Sequence, residues 1–519
     1  MPAILDAPFR AIPGLIRAHA AQRPHHAALV HDRRVIDYAG LDALLDRVAA
    51  SLQRGGLKAQ DSIAICAATS LEYAAVFLGA LRAGIAVAPL APSSTAESLA
   101  GMLADAGAKM LFLDAAASET LASVREHIDA RCVTLDASTR ADGVARRFND
   151  WLAAEGARPE AVSIWPEWAF NIIYSSGTTG APKGIVQPHS MRWGQLQRSA
   201  PYEYGPDAVT LLATPLYSNT TLVSFFPTLG MGGTAVLMGK FDAASYLGLA
   251  QEHRVTHTML VPVQYQRIMA LADFNRFDLS SFRFKFCTSA PFSAALKADI
   301  LKRWPGGLVE FYGLTEGGGT CLLAAHEHPD KLHTVGQPAP GHEIRLIDEA
   351  GREVVAGEAG EVVGRSAVMM SGYHNQPSMT AEAEWFDAEG KRFLRTGDIG
   401  RFDEDGFLIL LDRKKDMIIS GGFNIYPSDL ESVLCEHPGV AEAAVVGVPS
   451  QRWGETPVAF IVTRTGYSAT ASELLAWANG RLGKIQRLAA VELIESLPRS
   501  AIGKVMKREL REAYRTNAG

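Results

Sequence analysis

The chain has 519 residues, of which 48% are apolar and 20% charged, and its 50 Lys and Arg against 56 Asp and Glu give a net charge of −6. A chain of this length exceeds what one hydrophobic core supports, so about two to four domains are expected. The weak negative charge argues against nucleic acid and against an anionic membrane as partners.

The first half of the chain alternates predicted strands with predicted helices. A helix is predicted at 70–84, closed by Gly84, and it stands between two buried apolar strands. Strand, helix and strand joined by short links predict parallel α/β layers. The strands of this pattern are 61–67, 85–90, 108–114, 208–215 and 234–239.

The later part of the chain changes character twice. Short strands with glycine turns at 341–348 and 360–365 predict a small β-rich subdomain. The charged run LDRKKD (411–416) then precedes a new pattern of helix (427–440) and strands. We therefore predict an α/β fold with a large N-terminal domain of layered α/β subdomains plus the β-rich subdomain (1–412), followed by a small α+β C-terminal domain (413–519).

Cysteine usage and the N-terminal sequence bear on the compartment. The chain has five cysteines, none in a C-x-x-C pattern, which predicts neither a disulfide framework nor a zinc cluster. The first residues, MPAILDAPFRAIPG, lack the basic and apolar regions of a secretory signal, and no apolar run is long enough to span a bilayer. We therefore expect a cytoplasmic protein.

The stretch YSSGTTGAPKG (174–184) is dominated by Gly, Ser and Thr and contains one cation, Lys183. Such a run is too flexible for a helix or a central strand, and its N–H groups, hydroxyls and lysine suit the phosphates of a nucleotide. A plain connecting loop is the alternative for this stretch taken alone. It is not a Walker A loop, because Lys183 precedes Gly184 instead of following a glycine.

Four further motifs follow in order: FYGLTEGG (311–318), RTGDIG (395–400), LDRKKDMIISGGFNIYPSDLE (411–431) and LPRSAIGKVMKREL (497–510). With the loop, they resemble the motifs of the adenylate-forming superfamily, which includes acyl-CoA synthetases, aryl-CoA ligases, nonribosomal-peptide adenylation domains and luciferases. The resemblance implies an acid:CoA ligase of the acyl-CoA synthetase branch that uses ATP, Mg²⁺ and coenzyme A and releases AMP and pyrophosphate.

The residue types in these motifs suit that chemistry. Tyr312 offers an aromatic face for a base, Glu316 a hard oxygen ligand for Mg²⁺, and Asp398 a carboxylate for the two ribose hydroxyls. Without the other motifs, Glu316 and Asp398 could each also be explained as ordinary turn residues that bind no ligand. The ATP and AMP contacts that the resemblance implies are Ser175, Ser176, Gly177, Thr178, Thr179, Gly180, Lys183, Ser289, Ala290, Pro291, Tyr312, Gly313, Thr315, Asp398 and Arg413.

The remaining roles also follow from the resemblance. It implies Lys504, Glu316 and Thr178 as catalytic residues, with Glu316 as the magnesium ligand. It makes the C-terminal domain mobile, with Lys415 as the hinge between an adenylating and a thioester-forming pose. The acyl pocket is assigned to Tyr217, Ser218, Gly317 and Gly318, and the CoA side to Gly421, Gly422 and Phe423.

The C-terminal lysine motif carries a prediction about control. Acyl-CoA synthetases with this motif are commonly switched off by acetylation of the lysine and restored by a deacetylase, so the resemblance implies a protein acetyltransferase and a deacetylase as partners acting on Lys504. Alternatively, Lys504 is only catalytic. Lys507, Arg508 and Arg511 are expected to form a solvated helix face, and Trp453 to be a packing residue.

The acyl segment TPLYSNTTLVSFF (214–226) departs from many relatives, because Ser218 stands where they carry His. The small residues of 287–294 and 317–319 leave room, which disfavours acetate, and no cation is placed for a second carboxylate. We expect an aryl, arylpropenoic or medium-chain acid. A carrier-protein thiol as acceptor remains the alternative, and a non-catalytic nucleotide binder would be expected to lose Lys504 or Glu316.

Overall fold

The computed structural model describes residues 2–136, 145–175, 183–420, 423–464, 466–483, 486–499 and 505–517. Short 3₁₀ helices lie at Ala122–His127, Ala200–Tyr202 and Phe274–Arg276. The α-helices are α1 Pro2–Leu5, α2 Ile12–Gln22, α3 Tyr38–Arg54, α4 Leu71–Arg82, α5 Ala96–Asp105, α6 Ala115–Leu121, α7 Phe148–Trp151, α8 His189–Gln197, α9 Asn219–Gly230, α10 Ala243–Glu252, α11 Pro262–Met269, α12 Ala294–Arg303, α13 Pro377–Glu382, α14 Pro427–Cys435, α15 Ala471–Asn479 and α16 Lys507–Asn517.

The strands are β1 Ala27–His31, β2 Arg34–Asp37, β3 Ser62–Cys66, β4 Ala86–Leu90, β5 Ala108–Leu113, β6 Arg131–Thr134, β7 Arg146–Arg147, β8 Ala169–Ser175, β9 Lys183–Pro188, β10 Val209–Leu212, β11 Thr234–Leu237, β12 His257–Leu260, β13 Phe284–Cys287, β14 Gly307–Leu314, β15 Gly317–Ala324, β16 Gln337–Pro338, β17 His342–Ile347, β18 Gly360–Ser366, β19 Gly372–Tyr373, β20 Glu384–Phe386, β21 Arg392–Phe402, β22 Leu408–Arg413, β23 Ile418–Ser420, β24 Phe423–Ile425, β25 Val440–Ser450, β26 Gly454–Thr463 and β27 Ala490–Leu493.

The chain forms two compact units. The first comprises Met1–Leu332, Pro338–Glu343 and Arg365–Leu394, and the second comprises His333–Gln337, Ile344–Gly364 and Arg395–Gly519. The second unit therefore begins upstream of residue 413, where the sequence suggested the boundary, because β21 and β22 pair with each other. The hinge at Lys415 and the mobility of the C-terminal domain stay predictions.

Two large sheets make up most of the first unit. One has the strand order β16-β15-β14-β13-β12-β10-β11-β1-β2 and the other β19-β9-β8-β4-β3-β5-β6-β7, counted over the described residues. Strand β3 pairs in parallel with β4 and β5, and β10 with β11 and β12. The predicted parallel α/β layers are thus confirmed, with helices crossing between successive parallel strands.

Helix α4 illustrates how local sequence produces these layers. The Ser70 hydroxyl accepts a hydrogen bond from Tyr73 N at 3.1 Å and caps the helix, and Gly84 follows its end with φ +68°. A Cβ on Gly79 would lie 2.5 Å from Val48 Cβ, so only glycine permits α3 and α4 to pack this closely. The helix predicted at 70–84 is confirmed.

The core of the first unit lies where α4, α9 and β8 meet. Phe170 of β8 packs edge-on against Phe226 of α9, with ring centroids 4.9 Å apart, and Phe77 of α4 lies 6.0 Å from Phe170. All three rings are fully buried. These aromatic contacts hold α9, which follows β10 of the first sheet, against β8 of the second.

The loop predicted at 174–184 is shorter than expected. Tyr174 and Ser175 end β8, Lys183 and Gly184 begin β9, and the two strands pair antiparallel, Tyr174 with Gly184 and Ser175 with Lys183. Excluding strand from the whole stretch was therefore wrong at both ends, because the hairpin ladder continues up to the loop. Residues 176–182 lie outside the described residues.

A third sheet has the order β17-β18-β21-β20, with β22 also paired to β21, across the described strands. It corresponds to the predicted β-rich subdomain. In the second unit a further sheet is built on the long antiparallel pair β25–β26, with β27 parallel to β26 and with α14 and α15 against it. This arrangement is the predicted small α+β domain.

All five cysteines are free thiols; Cys435 is exposed and the other four are buried. Across the described ranges, no helix is both long and apolar enough to cross a bilayer.

Candidate active site

The Thr315–Glu316 pair forms the turn between β14 and β15, whose flanking residues Leu314 and Gly317 pair directly. Gly317 has φ +85°, and a Cβ there would lie 3.1 Å from Met191 Cε and 3.2 Å from Met369 Cα. The missing side chain therefore makes room for neighbouring protein at this position. The assignment of Gly317 to an acyl pocket stays a prediction.

Residues 370–374, here called the linking segment, join this turn to the strand that follows the glycine-rich loop. Met370 N donates to Glu316 O at 2.8 Å, and His374 N donates to Gly184 O at 2.7 Å. Between them, Tyr373 pairs with Ile185 of β9. The linking segment thus sets the distance between Glu316 and the first residues of β9.

Tyr373 connects the two charged side chains of this region. Its hydroxyl donates to Glu316 Oε1 at 2.9 Å, and Lys183 Nζ lies 5.3 Å from its ring centroid. Burial and the Glu316 carboxylate raise the pKa of Tyr373, so the phenol keeps its proton and remains a donor. Sequence reasoning missed Tyr373, although an aromatic residue directly after a glycine in SGYHN was an available signal.

Glu316 fits the part of a magnesium ligand. Within the described residues the only hydrogen bond to its carboxylate is the one from Tyr373 to Oε1, which leaves Oε2 for a cation. No group of three or more His, Cys, Asp or Glu suited to a metal occurs among those residues. A single carboxylate can suffice for Mg²⁺, which takes one or two carboxylates and completes its shell with phosphate oxygens and water.

Ser289 lies in the loop after β13, beside the end of β14. Its φ of +83° places a non-glycine residue in the left-handed region, which is a strained conformation found often at functional sites. Its hydroxyl lies 2.6 Å from Thr220 Oγ1, and Thr288 Oγ1 donates to Phe311 O at 2.8 Å. These bonds hold Ser289, Ala290 and Pro291 at the carboxyl end of the parallel strands, next to Tyr312 and Gly313 on β14.

Residues 218–221 of the acyl segment are all polar, and only some of their side chains are available to a substrate. Thr221 is fully buried and donates to Thr214 Oγ1 at 2.7 Å, Thr220 contacts Ser289, and Asn219 accepts from Arg192 at 2.9 Å. Ser218 makes no cap bond to α9 and is nearly buried. Of the four, Ser218 alone keeps its side chain without a hydrogen bond to the described residues, next to a half-buried Tyr217.

In the second unit, Asp398 and Arg413 are partners across β21 and β22. Arg413 Nε lies 2.9 Å from Asp398 Oδ1, and the side chains are 37% and 10% exposed. Asp398 N donates to Thr396 Oγ1 at 3.0 Å. The structure thus brings together two residues that the sequence assigned separately to a nucleotide.

Lys415 lies in the turn 414–416 after β22. Its neighbours are anchored: Lys414 N donates to Gly397 O at 2.8 Å, and Met417 N donates to Arg413 O at 2.9 Å. Lys415 itself makes no hydrogen bond or ion pair with the described residues. One unanchored residue between anchored ones suits a pivot.

The proposed CoA side carries exposed apolar groups. Ile419, Phe423 and Trp453 are 53%, 55% and 49% exposed, and they lie on or beside β23, β24 and β26. Trp453, predicted to be a packing residue, is half exposed, and the Arg452 guanidinium packs 4.8 Å from its ring centroid. An exposed aromatic patch of this kind is typical of a binding surface.

The helix face predicted at Lys507, Arg508 and Arg511 is solvated only in part. Lys507 pairs with Glu431 at 2.8 Å and Arg511 with Asp416 at 2.5 Å, whereas Arg508 is exposed. The pairs fix α16 within the second unit. The predicted residues outside the described ranges are Ser176, Gly177, Thr178, Thr179, Gly180, Gly421, Gly422 and Lys504, together with the side chain of Ser175.

Two family models match the chain in succession. The model described as AMP-binding enzyme matches residues 16–374, and the model described as AMP-binding enzyme C-terminal domain matches residues 429–504. The chain belongs to the AMP-binding enzyme family. The predicted membership of the adenylate-forming superfamily and the predicted fold class are confirmed.

Relatives of this AMP-binding enzyme span nearly its full length. A feruloyl-CoA synthase from Amycolatopsis sp is 32% identical over 95% of this chain and 97% of its own. An indoleacetate–CoA ligase from Aromatoleum aromaticum is 32% identical over 96% and 97%. The crystal structure of ATP-bound MatB from Rhodopseudomonas palustris has a TM-score of 0.86 and 29% identity and covers 97% of this chain and 99% of that one.

The AMP-binding enzyme is thus an ATP-binding, AMP-forming member of the acid–thiol ligases, in the acid–CoA ligase family.

Proposed function

We propose that this enzyme activates an aryl, arylpropenoic or medium-chain carboxylic acid with ATP and transfers the acyl group to coenzyme A, releasing AMP and pyrophosphate. The observation that carries the proposal is the series of contacts Lys183–Tyr373–Glu316. The Tyr373 hydroxyl donates a hydrogen bond to the Glu316 carboxylate, and the Lys183 ammonium group lies over the Tyr373 ring. Lys183 directly follows the segment 176–182, whose composition suits phosphates, and Tyr373 links Lys183 to Glu316.

The chemistry accounts for this distribution of charge. A thiol cannot directly displace an oxygen of a carboxylate, because that oxygen is a poor leaving group. The carboxylate oxygen therefore first attacks the α-phosphate of ATP, and pyrophosphate leaves. Negative charge grows around that phosphate, and Lys183 and Lys504 lower its energy. Mg²⁺ held by Glu316 would add positive charge beside the phosphate oxygens.

The other assigned residues bind the nucleotide and the acyl group in the proposal. Tyr312 stacks on adenine, Thr315 donates to the α-phosphate, and Asp398 accepts from the ribose hydroxyls with Arg413 beside it. Ser289, Ala290 and Pro291 border the adenine, and the residues of 175–180 surround the phosphates. No enzyme nucleophile is needed, which agrees with the burial of Cys66, Cys132, Cys287 and Cys321.

The acceptor side of the proposal rests on the second unit. The exposed Phe423 and Trp453 offer apolar surface to the pantetheine arm of coenzyme A, and Lys415 lets the unit change its pose between the half-reactions. The substrate class is supported by two full-length relatives whose names specify aromatic acids and by the small Ser218 beside Tyr217 in the acyl segment.

The test is ATP–pyrophosphate exchange over a panel of benzoic, cinnamic, indoleacetic and medium-chain fatty acids, followed by product analysis with coenzyme A and with a phosphopantetheinylated carrier protein. We expect exchange with at least one aromatic acid, AMP as the nucleotide product and a CoA thioester. ADP and phosphate as products would rule out adenylation. A thioester formed on the carrier protein but not on CoA would replace the acceptor and leave adenylation standing.

A further inference from the structure

Arg192 is a buried cation in the first unit without an acidic partner. Arg192 lies on α8 and is only 1% exposed to solvent. Within the described residues, none of its hydrogen-bond partners is a carboxylate. Burial lowers the pKa of the guanidinium to about 9. A charge removed from water at this cost requires a compensating role, since an apolar residue of the same size would be cheaper.

The surroundings of Arg192 stabilise the cation without neutralising it. Its guanidinium carbon lies 5.6 Å from the ring centroid of Phe170 and 5.7 Å from that of Phe226. Its hydrogen-bond partners are amide oxygens: Gln195 Oε1 at 2.8 Å, Asn219 Oδ1 at 2.9 Å, Asn171 Oδ1 at 3.4 Å, and Gln187 Oε1.

This set of bonds fixes which way Gln187 points. A guanidinium has donors only, so the amide of Gln187 must turn its oxygen toward Arg192 and its NH₂ group away from it. The NH₂ group then donates to Thr315 O at 2.5 Å. Gln187 is fully buried on β9 and pairs across the hairpin with Asn171 of β8, which leaves it no exposed alternative position.

The acceptor in this bond is the carbonyl of the turn residue that precedes Glu316. The opposite side of the turn is held by the linking segment, through Met370 N on Glu316 O and Tyr373 on Oε1. Gln187 thus supplies the restraint on the β9 side, and Tyr373 supplies the one on the carboxylate.

Arg192 also reaches the acyl segment. Asn219 Oδ1 accepts from the same terminal nitrogen as Gln187 does, and Asn219 is the first residue of α9, directly after Ser218. One cation therefore orients a residue that holds the turn and a residue of the acyl segment, Asn219 at the start of α9.

We infer that Gln187, oriented by Arg192, is a positioning residue that holds the Thr315–Glu316 turn for magnesium–ATP, and that Arg192 ties this turn to the acyl segment at Asn219. The inference rests on the proposed role of Glu316. A two-residue turn with one anchored side can shift, and displacing a carboxylate by a fraction of an ångström weakens its metal contact.

The test uses Gln187→Glu in the full-length protein. The new carboxylate has the size of the amide and pairs with Arg192, so folding is preserved, but it cannot donate to Thr315 O and repels that carbonyl. The matched control is Gln197→Glu on the same helix as Arg192. Gln197 Nε2 donates to Leu5 O at 2.9 Å and to Ala7 O, so the control makes the same chemical change away from the turn.

Three quantities are measured for each variant. Binding of ATP is measured by calorimetry at several Mg²⁺ concentrations. The rate of pyrophosphate exchange is measured with the best acid of the panel, and the rate of thioester formation is measured from a supplied acyl-adenylate. We expect Gln187→Glu to weaken magnesium-dependent ATP binding by about 10-fold and to slow exchange by about 10–100-fold, the range for partners of metal ligands. Thioester formation and the melting temperature should match those of the Gln197→Glu control.

The inference is overturned if both variants bind magnesium–ATP equally well, or if exchange and thioester formation fall together with the melting temperature, as for a purely structural residue. Arg192→Lys, which keeps the charge but cannot bridge both amides, should give an intermediate loss. If the unchanged protein binds magnesium–ATP but exchanges pyrophosphate with no acid, the proposed function fails, and the binding comparison alone still decides the role of Gln187.

Discussion

Arg413 Nε lies 2.9 Å from Asp398 Oδ1, across neighbouring strands that place the two residues opposite each other. Because Asp398 is nearly buried, this pair holds the carboxylate in one orientation. We expect Asp398→Asn to raise the KM for ATP by about 10–100-fold, the equivalent of one hydrogen bond to a charged group. Steady-state kinetics in ATP would measure the effect.

The control for this change is Glu353→Gln in the same unit. It breaks the ion pair with Arg345, which is 2.5 Å long and more exposed, without touching β21 or β22. Equal kinetics for the two variants would remove Asp398 from the nucleotide site.

Removing the hydroxyl of Tyr373 should loosen Glu316. Tyr373→Phe keeps the ring beneath Lys183 but deletes the donor to Oε1. We expect the Mg²⁺ concentration that gives half-maximal pyrophosphate exchange to rise by about 10-fold. Tyr265→Phe serves as the control, since it deletes a buried hydroxyl that donates to Phe286 O on β13 and not to the turn. A magnesium dependence shared by both variants would argue against this role of Tyr373.

The predicted role of Lys504 implies that its loss affects the two half-reactions differently. Lys504→Ala should slow adenylation by about 10²–10³-fold, by analogy with the removal of one donor that stabilises transition-state charge. Thioester formation from a supplied acyl-adenylate should change far less, because the step in which negative charge builds up at the α-phosphate is already complete. Arg508→Ala, on the exposed face of α16, is the control. Equal losses in both half-reactions would contradict the assignment.

Lys415→Pro tests the hinge. Proline fixes φ near −65° and removes an N–H, so a pivot at this position would be locked. If the adenylating pose is the one retained, pyrophosphate exchange should persist while thioester formation is lost. Glu404→Pro is the control, since it places proline at the second position of the turn that Gly406 N closes on Asp403 O at 3.1 Å. Normal CoA turnover in Lys415→Pro would place the pivot elsewhere.

Buried histidines should make the first unit sensitive to mild acid. His257 stacks on Tyr204 at 4.4 Å and its Nε2 lies 2.6 Å from Tyr202 O, and burial lowers its pKa to about 4. The unfolded chain binds the proton from about pH 6.5 downward, so stability is complete above pH 6.5 and falls as pH decreases toward 4. The contribution is on the order of 2–3 kcal/mol.

The measurement is the urea midpoint between pH 7.5 and 4.5 for the protein and for His257→Gln. The variant has no titrating group at this position, so its midpoint should fall less steeply over the same range. Burial lowers the pKa of His189 to about 4 as well, and it should account for part of the remaining slope in both proteins. Identical slopes would mean that folding does not lower the pKa of His257.

The sequence predicted the elements whose signals are local. The helix at 70–84 was predicted from the local residue pattern and the closing Gly84, both within one segment. The same holds for the nucleotide motifs, because a loop that surrounds phosphates or a turn that carries Glu316 is built from adjacent residues. Family membership followed from their order along the chain, and the family models agree.

Only the tertiary structure brought together side chains that are remote in sequence. Tyr373 meets Glu316 across 57 positions and Gln187 meets Thr315 across 128. The structure also shows what surrounds single residues: a Cβ on Gly317 would lie 3.1 Å from Met191 Cε, and Trp453 is 49% exposed. Motif spacing records what the backbone does within one turn or hairpin. Which strands become neighbours is decided by burial over the whole chain, and that pairing gives Glu316 its hydrogen-bond donor and Gln187 its carbonyl.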